Sequence, residues 1–208
     1  MKRLAIYGAS GHGKVVAEIA ELNGWEDIVF FDQASENIKK NGIWPVRGDF
    51  EDLLRYKSDF DAVIVAIGNN EVRIDRSELL RKSGIQLASL IHPSAIVSHY
   101  SSVGTGTVIM AKAVVNPFVA IGKDVIINSG AIVEHDCSIG NGVHVCPGVS
   151  LAGEVIIGEK AWIGIGASVI QQCQIGDASI IGAGSVVIDN ISSHVTACGV
   201  PAKSIKSI

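Results

Sequence analysis

The sequence predicts two unlike folds in tandem: a small α/β layer over residues 1–90, then a coil of short stacked strands over 91–208. Three observations carry this. A strict six-residue apolar period runs from Ile91 to Val187. No such period precedes it, and there strand-like and helix-like stretches alternate. Glycine is abundant at 23 and aromatics are only 5%, a balance that suits regular structure packed from small and β-branched side chains.

Every sixth residue from Ile91 is Ile, Val or Leu: Ile91, Val97, Val103, Ile109, Val115, Ile121, and so on without a slip through Ile163, Val169, Ile175, Ile181 and Val187. Four residues after each comes a small or β-branched side chain, such as Ala95, Ser101, Thr107, Ala113, Val119, Ala131 or Cys137. Glycine often follows the large residue directly, as at Gly104, Gly122, Gly140 and Gly158, and reads as a permissive turn residue. A strand repeats every two residues and a helix every 3.6, so neither explains six. One short strand and one corner per six residues does. Such a unit cannot bury its apolar side alone, so units must stack.

The first 90 residues read differently. LAIYGASGHGK is a strand, a glycine turn and a helix start, with the helix continuing through VVAEIAELNGW. IVFFD is a second strand ending at Asp32; DAVIVAIGNN is a third, and EVRIDRSELLRKSG a further helix. Alternating strands and helices imply a parallel α/β layer. Ser10, Gly11 and His12 fall where an anion would meet a helix N-terminus, favoured by free N–H groups and the helix dipole. Asp32 and Gln33, then Gly68, Asn69 and Asn70, fall at the ends of the other two strands, where open α/β sheets bind ligands. The glycine turn alone is equally compatible with a tight strand–helix turn and no ligand.

Net charge is −4, so no broad basic field points to nucleic acid. The apolar run after Lys2 and Arg3 is too short for a signal segment or a membrane span, and no membrane insertion is expected. Cys137, Cys146, Cys173 and Cys198 show no CxxC spacing, which argues against a disulfide or zinc framework and fits a reducing cytoplasm.

The repeat tract resembles the hexapeptide-repeat acyltransferases. That resemblance implies a left-handed parallel β-helix with eighteen residues per triangular coil, a hand that the usual right-handed crossover rule would not give. A short Rossmann-like domain followed by such a helix resembles the bacterial nucleotide-sugar acetyltransferases of glycan biosynthesis. The matching motifs span the chain: YGASGHG, FFD, AIGNNEVR, LIHPSA, INSGAIVEHDC and GVPAK. Members of this family acetylate the 4-amino group of UDP-linked 4-amino-4,6-dideoxy-N-acetylglucosamine or of GDP-perosamine, and similar enzymes O-acetylate sialic acid.

The resemblance therefore implies acetyl-CoA as co-substrate, a nucleotide-linked amino sugar as acceptor, no metal, and a homotrimer with sites between neighbouring prisms. It carries the general base onto His135 and its supporting carboxylate onto Asp136, with Glu134 and Asn128 in the same motif. Histidine has the right intrinsic pKa to take a proton from an attacking amine, and an adjacent carboxylate holds its tautomer. The resemblance places acetyl-CoA contacts on His144, Ile165 and Ala183, while nucleotide-sugar contacts are expected on Ser10, Gly11, His12, Asp32, Gln33, Gly68 and Asn69 from their place at the strand ends. Gln33 stands where the family has a second acidic residue. Gly153 is eighteen residues beyond His135, so it stacks in the same column, with its N–H free to approach the acetyl carbonyl. Met110, Phe118 and Trp162 are expected on the outer face, as interface residues. His92, His99 and His194 carry no assigned role, and the cysteines read as small hydrophobes rather than acyl carriers. Two rival readings remain: a γ-type carbonic anhydrase, needing three histidines on zinc, and a non-catalytic nucleotide-sugar-binding scaffold.

Overall fold

The computed structural model describes residues 2–207. The chain divides into two compact units, Met1–Ile91 and His92–Ile208.

The first unit is built from β1 (Arg3–Tyr7), α1 (Gly11–Leu22), β2 (Asp27–Phe31), β3 (Lys40–Asn41), β4 (Trp44–Gly48), α2 (Phe50–Arg55), β5 (Ala62–Val65) and α3 (Asn70–Lys82). Its sheet has the order β3-β4-β2-β1-β5. Both neighbours of β1 run parallel to it, with Ala5 paired to Val29 and to Val63. The strands are near-continuous apolar runs, as a sheet covered on both faces requires. From β1 the chain winds to β2 on one side and later to β5 on the other. The C-terminal end of β1 is therefore the switch point at which α/β sheets open a ligand crevice. The sequence reading missed the β3–β4 arm. Pro45 and the glycines around it mask the strand pattern, and β4 tolerates Pro45 because only two-residue β3 lies beyond it.

The second unit is a left-handed parallel β-helix of two-residue strands in three faces. The first face stacks Ile96–Val97, Val114–Val115, Ile132–Val133, Ser150–Leu151, Ser168–Val169 and Val186–Val187. The second stacks Ser102–Val103, Ala120–Ile121, Ser138–Ile139, Ile156–Ile157 and Gln174–Ile175. The third stacks Val108–Ile109, Ile126–Ile127, His144–Val145, Trp162–Ile163 and Ile180–Ile181. Each strand pairs with the one eighteen residues on, as Val115 does with Val133 and Val133 with Leu151. The large columns from Ile109 to Val187 are all buried, as are the small inward residues from Thr107 to Ser185. The third face ends in a hairpin. Val195–Gly199 continues the parallel stack beside Ile180–Ile181, and Ala202–Ser207 folds back antiparallel against it.

One expectation is corrected here. The glycine after each large residue is not the turn residue. Its φ is negative, and its missing Cβ is needed because the next coil presses against it: a methyl on Gly140 would meet Glu159 N at 2.7 Å. The left-handed φ falls two residues later, at every sixth position from Gly106 to Gly184. Glycine fills some of these corners, but Lys112, Phe118, Asp124, Asp136, Glu154, Lys160, Gln172 and Ala178 fill the rest. Met110 is a second correction: it is 2% exposed, so it is a buried residue and offers nothing to a partner.

Among the described residues no helix is long and apolar enough to cross a membrane.

Candidate active site

In the first unit, the crevice is lined by turns with unequal helix ends. Asp49 and Asp52 close a capping box on α2, and the Asn69 side chain accepts from Val72 N–H at the start of α3. The N-cap of α1 is Ser10, which makes no side-chain cap bond, and no acidic residue occupies its first turn. The amide donors of Gly11 and His12 thus remain open to an anion. Gly8 brings the turn close to β5, since a methyl there would meet Ala66 O at 2.6 Å.

The structure gives Asp32 a job that the sequence did not suggest. Its two carboxylate oxygens accept from Ala9 N–H at 2.7 Å and from Ala34 N–H at 2.8 Å, so it ties the glycine turn to the end of β2. Gln33 beside it is exposed, and Gly68 is half-buried with open space above its Cα. Asn69, expected to face substrate, has its side-chain oxygen engaged as the α3 cap.

Arg73 is the residue that sequence reasoning missed. It is 1% exposed, and its guanidinium donates to Ile67 O, Gly68 O and Asn70 Oδ1 at 2.8–3.0 Å. A signal was present: Arg73 shares the buried face of α3 with Ser77 and Leu80, at i, i+4 and i+7 spacing. Burial, and after it the Arg73 charge, lowers the His12 pKa to about 4, so the ring is neutral at physiological pH. Its Nε2 is buried without a protein partner.

In the second unit, His135 stands exposed on the corner between the first and second faces. Its Nδ1 is 2.8 Å from Asp136 Oδ2, which leaves Nε2 as the available base. Asp136 takes φ 60°, a left-handed conformation that aspartate tolerates better than most residues. The His135 pKa is raised, chiefly by the Asp136 hydrogen bond; desolvation opposes this, and the charges of Asp136, Glu134 and Glu154 each add a smaller upward push. Glu134 is fixed by Asn116 Nδ2 at 2.7 Å. Gly153 lies under the ring as column arithmetic required: a methyl on it would meet His135 Cε1 at 2.6 Å.

A second cluster sits elsewhere on the prism. Asn128, His144, Cys146, Trp162, Ile165 and Ala183 line a cavity of about 400 Å³ on the third face and its corner with the first. His144 is 6% exposed, receives Asn128 Nδ2 on its Nε2 at 3.0 Å, and packs on Trp162 with ring centroids 4.4 Å apart. The cavity wall is mostly aliphatic and aromatic, suited to a flexible acyl-carrying arm. Cys146 in this wall has its thiol pushed up to about 12 by burial, and burial also raises Cys137 and Cys173, so these three are poor nucleophiles. The structure thus joins Asn128 to His144, Ile165 and Ala183, and separates it from His135. In a triangular coil the third face lies opposite the corner that bears His135 and Gly153, so one chain does not bring the two clusters together. Among the described residues, no group of three or more His, Cys, Asp or Glu side chains is placed to hold a metal ion.

Comparison with known proteins finds matches to two family models and to solved structures. Residues 3–80 match the PglD N-terminal domain, and residues 118–153 and 154–189 match the bacterial transferase hexapeptide (six repeats). The chain is 42% identical over 116 residues to UDP-N-acetylbacillosamine N-acetyltransferase of Bacillus subtilis (strain 168). That match spans 53% of this chain and about half, 52%, of that enzyme. Several solved structures match over nearly the whole chain. The acetyltransferase domain of PglB from Neisseria gonorrhoeae FA1090, in complex with acetyl coenzyme A, is 40% identical with a TM-score of 0.94, covering 98% of this chain and 99% of that one. PerB from Caulobacter crescentus, in complex with CoA and GDP-perosamine, is 38% identical with a TM-score of 0.94, covering 99% and 98%.

Proposed function

The chain belongs to the hexapeptide-repeat sugar N-acetyltransferases that carry a PglD N-terminal domain, and from that premise we propose the reaction it performs. It moves the acetyl group of acetyl-CoA onto the 4-amino group of a nucleotide-linked amino-deoxy sugar, with UDP-4-amino-4,6-dideoxy-N-acetylglucosamine the favoured acceptor. The observation that carries this is the His135 ring, with Nδ1 held by Asp136 and Nε2 free. The amine nitrogen attacks the thioester carbonyl while Nε2 takes its proton. The carbonyl oxygen becomes an oxyanion near the Gly153 N–H, which donates to no protein acceptor among the described backbone bonds. Collapse re-forms the C=O bond and expels the CoA thiolate, which is protonated as it leaves.

The carboxylates around His135 have a second use. An amino sugar arrives partly as an ammonium ion, and Glu134, Asp136 and Glu154 attract that cation to the base that must deprotonate it. The open α1 N-terminus, with Ser10, Gly11 and His12, takes the diphosphate. Asp32 and Gln33 mark the place of the ribose or base, while Gly68 and Asn69 border the crevice. His144, Ile165 and Ala183 receive the pantetheine arm, which then needs a His135 from another copy. A homotrimer with the third face of one prism against the His135 corner of the next answers that need. Free cysteines at 137, 146, 173 and 198 suit a reducing cytoplasm.

Thiol release from acetyl-CoA, measured against UDP-, GDP- and dTDP-4-amino sugars, tests the reading. Turnover with one nucleotide series and light scattering at three times the chain mass are expected. Nucleotide-sugar binding without thiol release would leave a scaffold, and a fully active monomer would remove the shared site.

A further inference from the structure

The left-handed corners of the coil carry glycine, charged side chains, an amide or alanine, with one exception. Phe118 holds φ 64° and is 63% exposed. A left-handed conformation costs a residue with a Cβ about 1–2 kcal/mol, and an exposed ring forfeits the burial that usually justifies an aromatic. Neither local preference nor core packing accounts for it. Tyr100 stands eighteen residues earlier in the same column, 61% exposed, with its ring stacked on Phe118 at 5.5 Å and 30°. His99 packs on Tyr100 at 3.9 Å. On the single chain the three rings form an exposed ladder.

The ladder lies on the corner that bears the proposed base. Phe118 is one coil before Asp136 in its column, and the two coils are tied there by Asp136 N–H donating to Pro117 O at 3.2 Å. Adjacent coils are about 4.8 Å apart, so Phe118 stands about one coil spacing from Asp136, the residue that holds the His135 ring. On the other side of His135 stand Gly153 and the Glu154 carboxylate. The base therefore has an apolar neighbour along one direction of the prism and a polar one along the other.

An acceptor that reacts through a 4-amino group carries its C6 substituent on the adjacent ring carbon. In a 6-deoxy sugar that substituent is a methyl, and the C–H face beside it is apolar. We propose that Tyr100 and Phe118 form the acceptor subsite that receives this methyl and so select 6-deoxy over 6-hydroxy amino sugars. The proposal rests on the acetyl-transfer reading above. A hydroxymethyl group pressed on the faces of these rings would lose water and gain no hydrogen bond there, since the one polar atom of the pair, the Tyr100 hydroxyl, lies at its ring's edge.

The test compares kcat/KM for a nucleotide-linked 4-amino-4,6-dideoxy sugar and its 6-hydroxy counterpart, on the nucleotide the wild type uses. Apolar sites reject an added hydroxyl by roughly 10–10²-fold, and that preference is expected of the wild type. Phe118→Ser and Tyr100→Ser should reduce it to about threefold or less while leaving KM for acetyl-CoA unchanged. Phe118→Gly, which suits the left-handed φ, should fold at least as well and lose selectivity equally. An unchanged ratio in these variants, or a wild type that acetylates both sugars equally, overturns the subsite alone. Loss of the wild-type oligomeric mass in Phe118→Gly makes the ladder an interface prop and also overturns it. No thiol release by the wild type with either sugar removes the acetyltransferase reading itself, and the subsite with it.

Discussion

The two units put their functional residues in place by different means. In the coil, position is arithmetic: Gly153 meets His135 because it is eighteen residues on, and nothing else has to be known. In the α/β unit, position depends on distant partners. Asp32 reaches Ala9, and Arg73 reaches back to the Ile67–Asn70 turn from inside a helix. A repeat spreads its stability over like contacts, so one corner side chain is dispensable to the fold. A loop-built crevice concentrates it in a few buried polar bonds, so its residues serve structure and ligand at once.

The largest expected effect lies on the coil side of this comparison. His135→Ala should lower kcat by roughly 10²–10⁴-fold, the scale of lost general-base catalysis, with the unfolding midpoint unchanged. Asp136→Asn should act in the same direction but less. Because Asp136 holds the His135 pKa up, the ascending limb of kcat against pH should lie above histidine's ordinary value in the wild type and move down in that variant. A midpoint that stays put would detach Asp136 from the base.

Arg73→Gln should do the reverse and separate the two units further. It leaves the Ile67 and Gly68 carbonyls short of their donor, at a cost of about 2–4 kcal/mol, and should weaken nucleotide-sugar binding with little change in affinity for acetyl-CoA. Urea unfolding and separate titrations of the two ligands check this. Equal losses for both ligands would mean that the units do not bind independently.

The smallest effect is a pH dependence. His12 titrates near 4 in the fold and near 6.5 in the unfolded chain, so the unfolded state binds the extra proton between those values. Stability of the first unit is fully present above about pH 6.5 and falls by up to about 3 kcal/mol as pH drops towards 4. His12→Asn should flatten that slope. Parallel curves for the two proteins would show that the ring is already solvated.

These differences also explain what could be read before any coordinates. The inward columns were legible because a period of six is self-checking over many turns. The corner was misread because glycine marks two needs, a left-handed φ and a close neighbour, and the commoner glycine here serves the second. In the α/β unit, the strand ends carrying Asp32 and Asn69 were legible, but not that their side-chain oxygens were already engaged, since that depends on which amides face them. Arg73 escaped because a charged residue on an apolar helix face looks like noise until its acceptors are seen. The separation of Asn128 from His135 escaped because sequence neighbours six or seven apart in a triangular coil stand on different corners.

The terminal hairpin has a consequence of another kind. A parallel stack with an open end is a template, and a second chain could extend it as a monomer extends a growing polymer. Here the last strand, Ala202–Ser207, runs backwards and carries Lys203 and Lys206 on an exposed edge. For that sheet it acts as a chain terminator: a further parallel strand would meet the wrong polarity there and an edge lined by exposed lysines.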